Sequence, residues 1–320
     1  MARSLDAVAR QMMACGMPEI APHELEVDGG RIVRYGPKKR GWYRIFHATG
    51  RTGRSFYSGA FGLHGRIETT RIEADDAEVD PADRERLRQQ VEAAKKRDEE
   101  RRLARARRAE RSAGEAWREA RTPTEPVGYV KRKGVRPQAV KVEDEDVVLV
   151  PMLRYDLPRE RALVGLQRIW PDGTKRFIAG TAKAGASVRL GPRPVDGDPI
   201  LLCEGIATGL SIAEALEDRL PIFVGFDAGN LVEVALILRE LWPGSPIGIC
   251  ADDDYRTPGN PGRLYAHRAA RKVSRAWYLR PLFDDARPEG LTDFNDVHVH
   301  AGLAELRRQL QPFVGFLAAR

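Results

Sequence analysis

The residues of this chain with the clearest chemical potential are carboxylates. Cys203-Glu204-Gly205 and Ala251-Asp252-Asp253-Asp254 each close a short apolar run that reads as a buried strand. Asp252 and Asp254 are two apart at the end of an extended segment, so the strand period of two sends them to the same side and Asp253 to the other. Glu204 ends an earlier strand in the equivalent position, and Gly205 lets the chain turn tightly there or approach a ligand closely. Further on, Thr292-Asp293-Phe294-Asn295-Asp296-Val297 supplies two more acids at the spacing of neighbours on a helical turn. Carboxylates that converge on one cleft repel one another unless cations neutralise them. Hard oxygen donors without His or Cys point to Mg²⁺ or Mn²⁺ and away from zinc. Mg²⁺ held by one or two carboxylates keeps much of its water and pairs with substrate phosphates, which makes phosphoryl transfer the matching chemistry. Taken singly, some of these acids have plainer readings: Asp293 as the cap of the helix that follows, and Asp253 as a solvated loop residue.

The elements that must position these acids alternate in type. Pro199–Cys203, Pro221–Phe226, Pro246–Ala251 and Ala276–Leu279 read as strands, with helical apolar spacing over Ala207–Leu216, Leu231–Leu241 and Leu264–Val273 between them. Strands joined through helices imply an α/β architecture, here a four-stranded, mostly parallel sheet flanked by helices on both faces. Ligands of such sheets sit at the carboxyl ends of the strands, where Glu204 and Asp252 lie. Upstream, Val147–Met152 and Ala162–Ile169 read as strands, and the turn Pro171-Asp172-Gly173-Thr174 links the second to Lys175-Arg176-Phe177-Ile178. This meander is expected to bring Arg168, Lys175, Arg176 and Lys183 near one another.

Before residue 122 the composition changes. Residues 82 to 121 are rich in Ala, Glu, Lys and Arg and poor in apolar residues, which predicts one long, largely solvated helix or two in succession. Lys95-Lys96-Arg97 and the arginines between 101 and 108 are suited to a phosphate backbone, although Asp98, Glu99, Glu100 and Glu110 neutralise much of that charge. The first stretch, after one helix, mixes aromatic and β-branched residues with turns in Arg31–Tyr35, Gly41–Phe46 and Arg54–Tyr57, as a small sheet requires. The resulting division is a small β-rich N-terminal unit over 1–78, a charged helical linker over 79–121, a basic β-rich part over 122–195, the alternating domain over 196–300 and a C-terminal helix over 301–320. With 320 residues, 42% of them hydrophobic, the chain can bury a sizeable core in two or three units. Its net charge of +7 permits a polyanionic partner without requiring one. Cys15, Cys203 and Cys250 lie far apart with no C-x-x-C pair, which excludes a disulfide framework and a zinc finger and fits a reducing cytoplasm. Met1-Ala2-Arg3-Ser4 leads into a short amphipathic helix and not into the apolar core of a signal peptide. Gly50-Arg51-Thr52-Gly53-Arg54-Ser55 lacks the lysine of a nucleotide-binding P-loop and reads as a turn.

Glu204-Gly205 after one strand, Asp252-x-Asp254 after a later one, and Asn260-Pro261-Gly262 before a helix resemble a Toprim domain, the fold shared by bacterial primases, type IA and type II topoisomerases and OLD-type nucleases. Gly165-Leu166-Gln167-Arg168-Ile169, Asp172-Gly173-Thr174-Lys175-Arg176-Phe177 and Gly180 resemble the segment that precedes this domain in DnaG-like primases of plasmids and phages, including conjugative and satellite-phage primases. Tyr129-Val130-Lys131-Arg132-Lys133-Gly134-Val135 and Asp293-Phe294-Asn295-Asp296 are similar to that group as well, so the resemblance covers roughly residues 25 to 310. It implies that Glu204, Asp252 and Asp254 hold Mg²⁺ (or Mn²⁺), with Asp296 as an accessory metal-binding acid and Asp293 a weaker one. It implies that Arg168, Lys175, Arg176 and Lys183 contact phosphates of the template, the primer or an incoming nucleotide. The reaction implied is attack of a primer 3′-hydroxyl on the α-phosphate of a ribonucleoside triphosphate on single-stranded DNA, in phage or plasmid replication beside a separate replicative helicase. The sequence departs from many relatives in having no ligand set for an N-terminal zinc module. A Mg²⁺-dependent Toprim nuclease and a non-catalytic DNA-binding replication or recombination accessory are the readings that compete with primer synthesis.

Overall fold

In the structure, a computed structural model, residues 2, 4–27, 32–49, 53, 55–63, 69–72, 81–284 and 287–318 are described. The expected domain border at 78 and most of the Gly50–Ser55 turn lie outside them. The chain divides into two units, Met1–Ala104 and Arg105–Arg320.

In the first unit, helix α1 (Leu5–Ala14) starts at Ser4, whose hydroxyl accepts the Ala7 N–H at 3.2 Å. A sheet follows with strands β1 (Val33–Tyr35), β2 (Gly41–Thr49), β3 (Ser55–Leu63) and β4 (Thr69–Arg71), in that spatial order and antiparallel throughout. Tyr43, Ile45 and Phe61 form its core with Val8, Ala9 and Met12 of α1, so the aromatics of this region are spent on packing. Helix α2 (Pro81–Glu119) is continuous, and the border between the units falls inside it. It is not solvated throughout. Within the first unit Val91 and Ala94 pack on Phe46 of β2, and within the second Ala113, Ala116 and Trp117 pack on the sheet described next.

The second unit continues with helix α3 (Gly128–Arg132) and strands β5 (Lys141–Val142), β6 (Val148–Leu153), β7 (Leu163–Ile169) and β8 (Lys175–Phe177), an antiparallel meander in sequence order. Its two faces differ because strand side chains alternate. Leu149 and Leu166 meet α2, whereas Val148, Val150, Met152, Val164 and Ile169 belong to the main core of the unit. That core continues without a break into the alternating region. The expected border at 195 therefore divides the sequence but not the packing.

The alternating region consists of β9 (Val188–Leu190), β10 (Ile200–Cys203), α4 (Ile206–Ala215), β11 (Ile222–Val224), α5 (Leu231–Leu241), β12 (Ile247–Cys250), α6 (Pro261–Lys272), β13 (Ala276–Leu279), α7 (Phe294–Gln309) and α8 (Gln311–Ala318). Its sheet has five strands in the order β13-β12-β10-β11-β9. The four expected strands are parallel, and β9 adds an antiparallel edge with Leu190 opposite Ile222. β10, β11 and β12 are buried along their whole length because helices cover both faces. Leu201, Cys203, Ile222, Val224 and Cys250 face one core, with Ala207 and Leu210 of α4 and Phe294 and Val297 of α7. Ile200, Leu202, Phe223, Ile247 and Ile249 face the other, with Val234 and Leu238 of α5 and Ala266 and Ala269 of α6. The C-terminal helix begins at Phe294, ahead of the expected 301; Gly302 kinks it with a φ of 86°, the helix resumes to Gln309, and α8 follows from Gln311.

Candidate functional site

At the carboxyl ends of three adjacent strands the chain leaves the sheet through an acid. Glu204 follows β10, Asp227 lies three residues past the end of β11, and Asp252 and Asp254 follow β12. The segment after β11 turns sharply. Phe226, with a φ of 72°, occupies the left-handed region and donates its N–H to the Glu204 carbonyl at 2.8 Å. The segment after β12 is held by the start of α6. Asn260 caps that helix from the left-handed region, and the Gly262 N–H donates to Asp254 Oδ2 at 2.9 Å. A Cβ at position 262 would come within 2.5 Å of the Asp252 carbonyl oxygen, so only glycine lets the helix end reach the acidic loop.

Asp253 points away from its neighbours, as the strand period requires, but it is buried and not solvated. It accepts from Arg287 Nη1 at 2.8 Å and from Asn260 Nδ2 at 2.8 Å, while its N–H donates to the Thr292 carbonyl at 2.7 Å. Arg287 in turn lies over the rings of Tyr255 and Phe283 at 4.0 and 4.5 Å. Burial would raise the Asp253 pKa, but the bonds from Arg287 and Asn260 outweigh it and hold the carboxyl below its ordinary value.

The acids on the other side have no such partner. Burial, then the charges of Asp254 and Asp227, push the Glu204 pKa up to about 7, against the opposing pull of Lys175. Burial and the charges of Asp293, Glu204 and Asp254 raise Asp252 well above the usual carboxylate range, and among the described residues its enclosed Oδ1 has no hydrogen-bond partner. Asp293 is also raised, first by burial and then by Asp296. These shifts come first from burial and then from the repulsion of like charges.

Asp293 and Asp296 both serve the start of α7. The Asp296 carboxylate accepts the Thr292 N–H at 2.6 Å and the Asp293 N–H at 3.1 Å, so it is spent on the start of α7 as the third residue of a capping box. Lys133 Nζ lies 4.0 Å from its Oδ1. Asp293 accepts the Asp296 N–H at 2.8 Å, as expected of a cap, and is also the strongest charge acting on Asp252.

The four basic residues of the meander separate by face. Lys175 lies opposite Ile169 and faces the acids; part of it stays exposed, yet burial lowers its pKa while Asp293, Glu204 and Asp252 oppose the drop. Its ammonium sits 5.5 Å from the Tyr129 ring centroid. Lys183 pairs with Asp227 and lies over Phe177, whose ring meets Phe226 edge-on. Arg168 and Arg176, opposite one another in the β7–β8 pair, point to the α2 face. Arg168 binds Glu143 through two bonds of 2.8 and 2.9 Å, and Arg176 lies over Trp170. They therefore stand apart from the acids.

Asp227, Asn230 and Lys133 are further residues of the site. Asn230 accepts the Gly185 N–H at 2.7 Å and donates to the carbonyls of Ala186 and Gly225 at 2.8 Å each, tying the Lys183 loop to the end of β11. The signal for Asp227 was its place directly after a strand, the same as for Glu204.

Among the described residues no group of three or more His, Cys, Asp or Glu is spaced to hold a metal as it stands. The donor chemistry nevertheless fits a hard divalent cation: all-oxygen ligands, mutual repulsion, and a buried carboxylate oxygen of Asp252 with nothing to bind.

Residues 199–304 match the Toprim domain family, so the chain carries a Toprim domain. It is 33% identical over 248 residues to the DNA primase TraC of Escherichia coli, a match spanning 71% of this chain and 22% of that protein. A second Escherichia coli DNA primase TraC matches at 32% over 160 residues, 47% of this chain and 10% of the relative. The chain thus spans less than a quarter of the length of either relative. Among solved structures, the primase fragment of the bacteriophage T7 primase-helicase protein is similar at 15% identity with a TM-score of 0.42, over 60% of this chain and 82% of that one.

Proposed function

We propose that this chain is the catalytic part of a DNA primase, synthesising short RNA primers on single-stranded DNA by divalent-metal-dependent nucleotidyl transfer in plasmid or phage replication. The observation that carries the reading is the meeting of Glu204, Asp252, Asp254 and Asp293 at one end of the parallel sheet with Lys175 and Lys183 of the meander. A metal site alone needs no such lysines, whereas a polyphosphate substrate needs both signs of charge. Similarity to the TraC primases supports primer synthesis among the reactions open to a Toprim domain.

Glu204, Asp252, Asp254 and Asp293 would hold Mg²⁺ or Mn²⁺, which when bound lowers the pKa of a coordinated hydroxyl and stabilises charge on the leaving pyrophosphate. The chain's own contribution is positioning. Lys175, held against Tyr129, meets the phosphates from the meander side, and Lys183 is released to them when a ligand competes with Asp227. The Asp253–Arg287 pair and the Gly262 N–H fix the loop on which Asp252 and Asp254 stand. Ribonucleoside triphosphates and a single-stranded template are the substrates, a replicative helicase is a partner, and the buried free thiols of Cys203 and Cys250 suit the cytoplasm. No helix among the described residues is long and apolar enough to cross a membrane.

Primer synthesis with labelled ribonucleotides, Mg²⁺ and a single-stranded template tests the reading. Label entering short oligomers, and lost in Asp252→Asn, is the expected result. Shortening of an end-labelled template without incorporation makes the chain a nuclease instead, and template binding with neither activity makes it an accessory protein.

A further inference from the structure

A second cleft of the Arg105–Arg320 unit has no share in the acidic site. It encloses about 590 Å³ and is lined by Tyr155, Arg159, Arg189, Arg193 and Trp242 among others. Its place follows from the sheet register. β9 runs antiparallel to β11, with Val188 opposite Val224 and Leu190 opposite Ile222, so Arg193 lies beyond the amino end of β11. Trp242 follows the carboxyl end of α5, the helix that carries the chain back from the acid end before β12 begins. The acids stand at the carboxyl ends of the same strands, about 13 Å of strand length away at roughly 3.3 Å per residue.

The cleft is positively charged and aromatic at once. Among the described residues none of Arg159, Arg189 and Arg193 forms an ion pair with a carboxylate. The nearby Asp156 is already taken by Arg154. Both rings are half-buried and anchored on one core side chain: Tyr155 meets Phe223 edge-on at 5.1 Å and Trp242 lies 5.8 Å from it. The Tyr155 hydroxyl also accepts the Arg189 N–H at 2.9 Å, which fixes the ring against β9. Three uncompensated guanidinium groups call for an anion with several charges. Two rigid, partly open rings call for a planar group beside those charges. Unstacked nucleotides offer both, and paired bases in a duplex do not expose their faces.

We propose that this cleft is a second, non-catalytic seat for single-stranded nucleic acid, with phosphates on Arg159, Arg189 and Arg193 and a base stacked on Trp242 or Tyr155. The choice of nucleic acid over other polyanions rests on the proposed function of the acidic site. The seat would hold the strand around the β9 edge from the place of reaction, so that the template stays attached while the acids act on one stretch of it.

The test is fluorescence anisotropy of a labelled oligothymidylate of about 10 nucleotides, within the range of single-strand site sizes, on the full chain and on two variants. Arg159→Glu/Arg193→Glu changes exposed residues, and Trp242→Leu is checked by its melting temperature. The double reversal is expected to weaken binding at least about tenfold and to lower the slope of log affinity against log salt by about 1.4, at about 0.7 for each phosphate of the single strand that is no longer neutralised. Trp242→Leu is expected to weaken it by about 5- to 100-fold through the missing stacking partner. Ultraviolet cross-linking of the unaltered protein to the oligonucleotide should map to the peptides holding Tyr155 or Trp242, a readout independent of any variant's folding. Unchanged affinity in both variants, cross-links elsewhere only, or displacement of the oligonucleotide by polyglutamate at equal charge concentration overturns the proposal. Primer synthesis by the unaltered protein together with any of these leaves the primase reading standing without the second seat. Arginine- and Trp242-dependent binding in a protein that makes no primers leaves the seat standing without the primase reading.

Discussion

Asp253 and its two flanking aspartates are consecutive in the chain and opposite in kind. Asp253 is buried with every need met: two side-chain donors, a charge partner and a place for its backbone N–H. Asp252 and Asp254 stand among like charges, and Asp252 keeps a buried oxygen unbound. A folded chain tolerates unrelieved repulsion of this sort only where something other than folding sets the residue type. The contrast separates the one of three identical residues that holds the loop from the two that are held by it. Mutation should separate the two roles, because the first acts on stability and the second on activity.

The largest expected effect is at Asp252. Asp252→Asn should reduce primer synthesis by more than the roughly 10- to 100-fold that losing a mere supporting partner of a metal ligand costs. It should also raise the melting temperature of the metal-free protein at pH 8, since a repelling charge is removed. A lower melting temperature would contradict the view of this cleft as strained. Next comes the knot behind it: Asp253→Ala or Arg287→Ala should cost about 3–5 kcal/mol in denaturant unfolding, the range for breaking a buried pair from one side. A loss below about 1 kcal/mol would place Asp253 with the surface pairs. Gly262→Ala should cost about 1–3 kcal/mol through its clash with the Asp252 carbonyl, and should weaken Mn²⁺ binding measured by calorimetry. The smallest effect is the pH dependence set by Glu204. The folded protein keeps this proton up to about pH 7, while an unperturbed carboxyl releases it near 4.5. The folded state therefore binds more protons in that window, and the Glu204 contribution to metal-free stability falls as pH rises through it. Glu204→Gln should flatten that fall in a series of melting curves, and Mn²⁺ affinity of the unaltered protein should climb as pH rises through about 7.

Much of this was legible in the sequence. The four parallel strands are unbroken apolar runs because both faces of the sheet are covered, and the rule that ligands sit at strand carboxyl ends picks out Glu204, Asp252 and Asp254 from 46 acids. β9 was not legible as part of that sheet, since Val188-Arg189-Leu190 carries a charge in its middle and stands before the alternating pattern starts. Asp227 follows the apolar run Pro221–Phe226 directly in the sequence, the same signal as for Glu204, although the strand itself ends at Val224 and the backbone has turned at Phe226 to a φ of 72°. Spacing alone does not tell which of Asp293 and Asp296 serves the helix end, because both do and only burial against Asp252 distinguishes them. The division of Lys175 from Arg168 and Arg176, by contrast, follows from residue parity once the Asp172-Gly173 turn fixes the register.

The three cysteines carry a practical consequence. Cys203 and Cys250 are register partners in the β10–β12 pair, fully buried, and burial raises the pKa of both thiols. Neither presents a thiolate to a reagent in the native state, while Cys15, just past α1, is exposed. A maleimide dye should therefore couple once, in the Met1–Ala104 unit, with no cysteine removed by mutation. Uptake of a second and third equivalent on titration with denaturant would then report the opening of the sheet that carries the acids, giving the unaltered chain a built-in chemical gauge of its own unfolding.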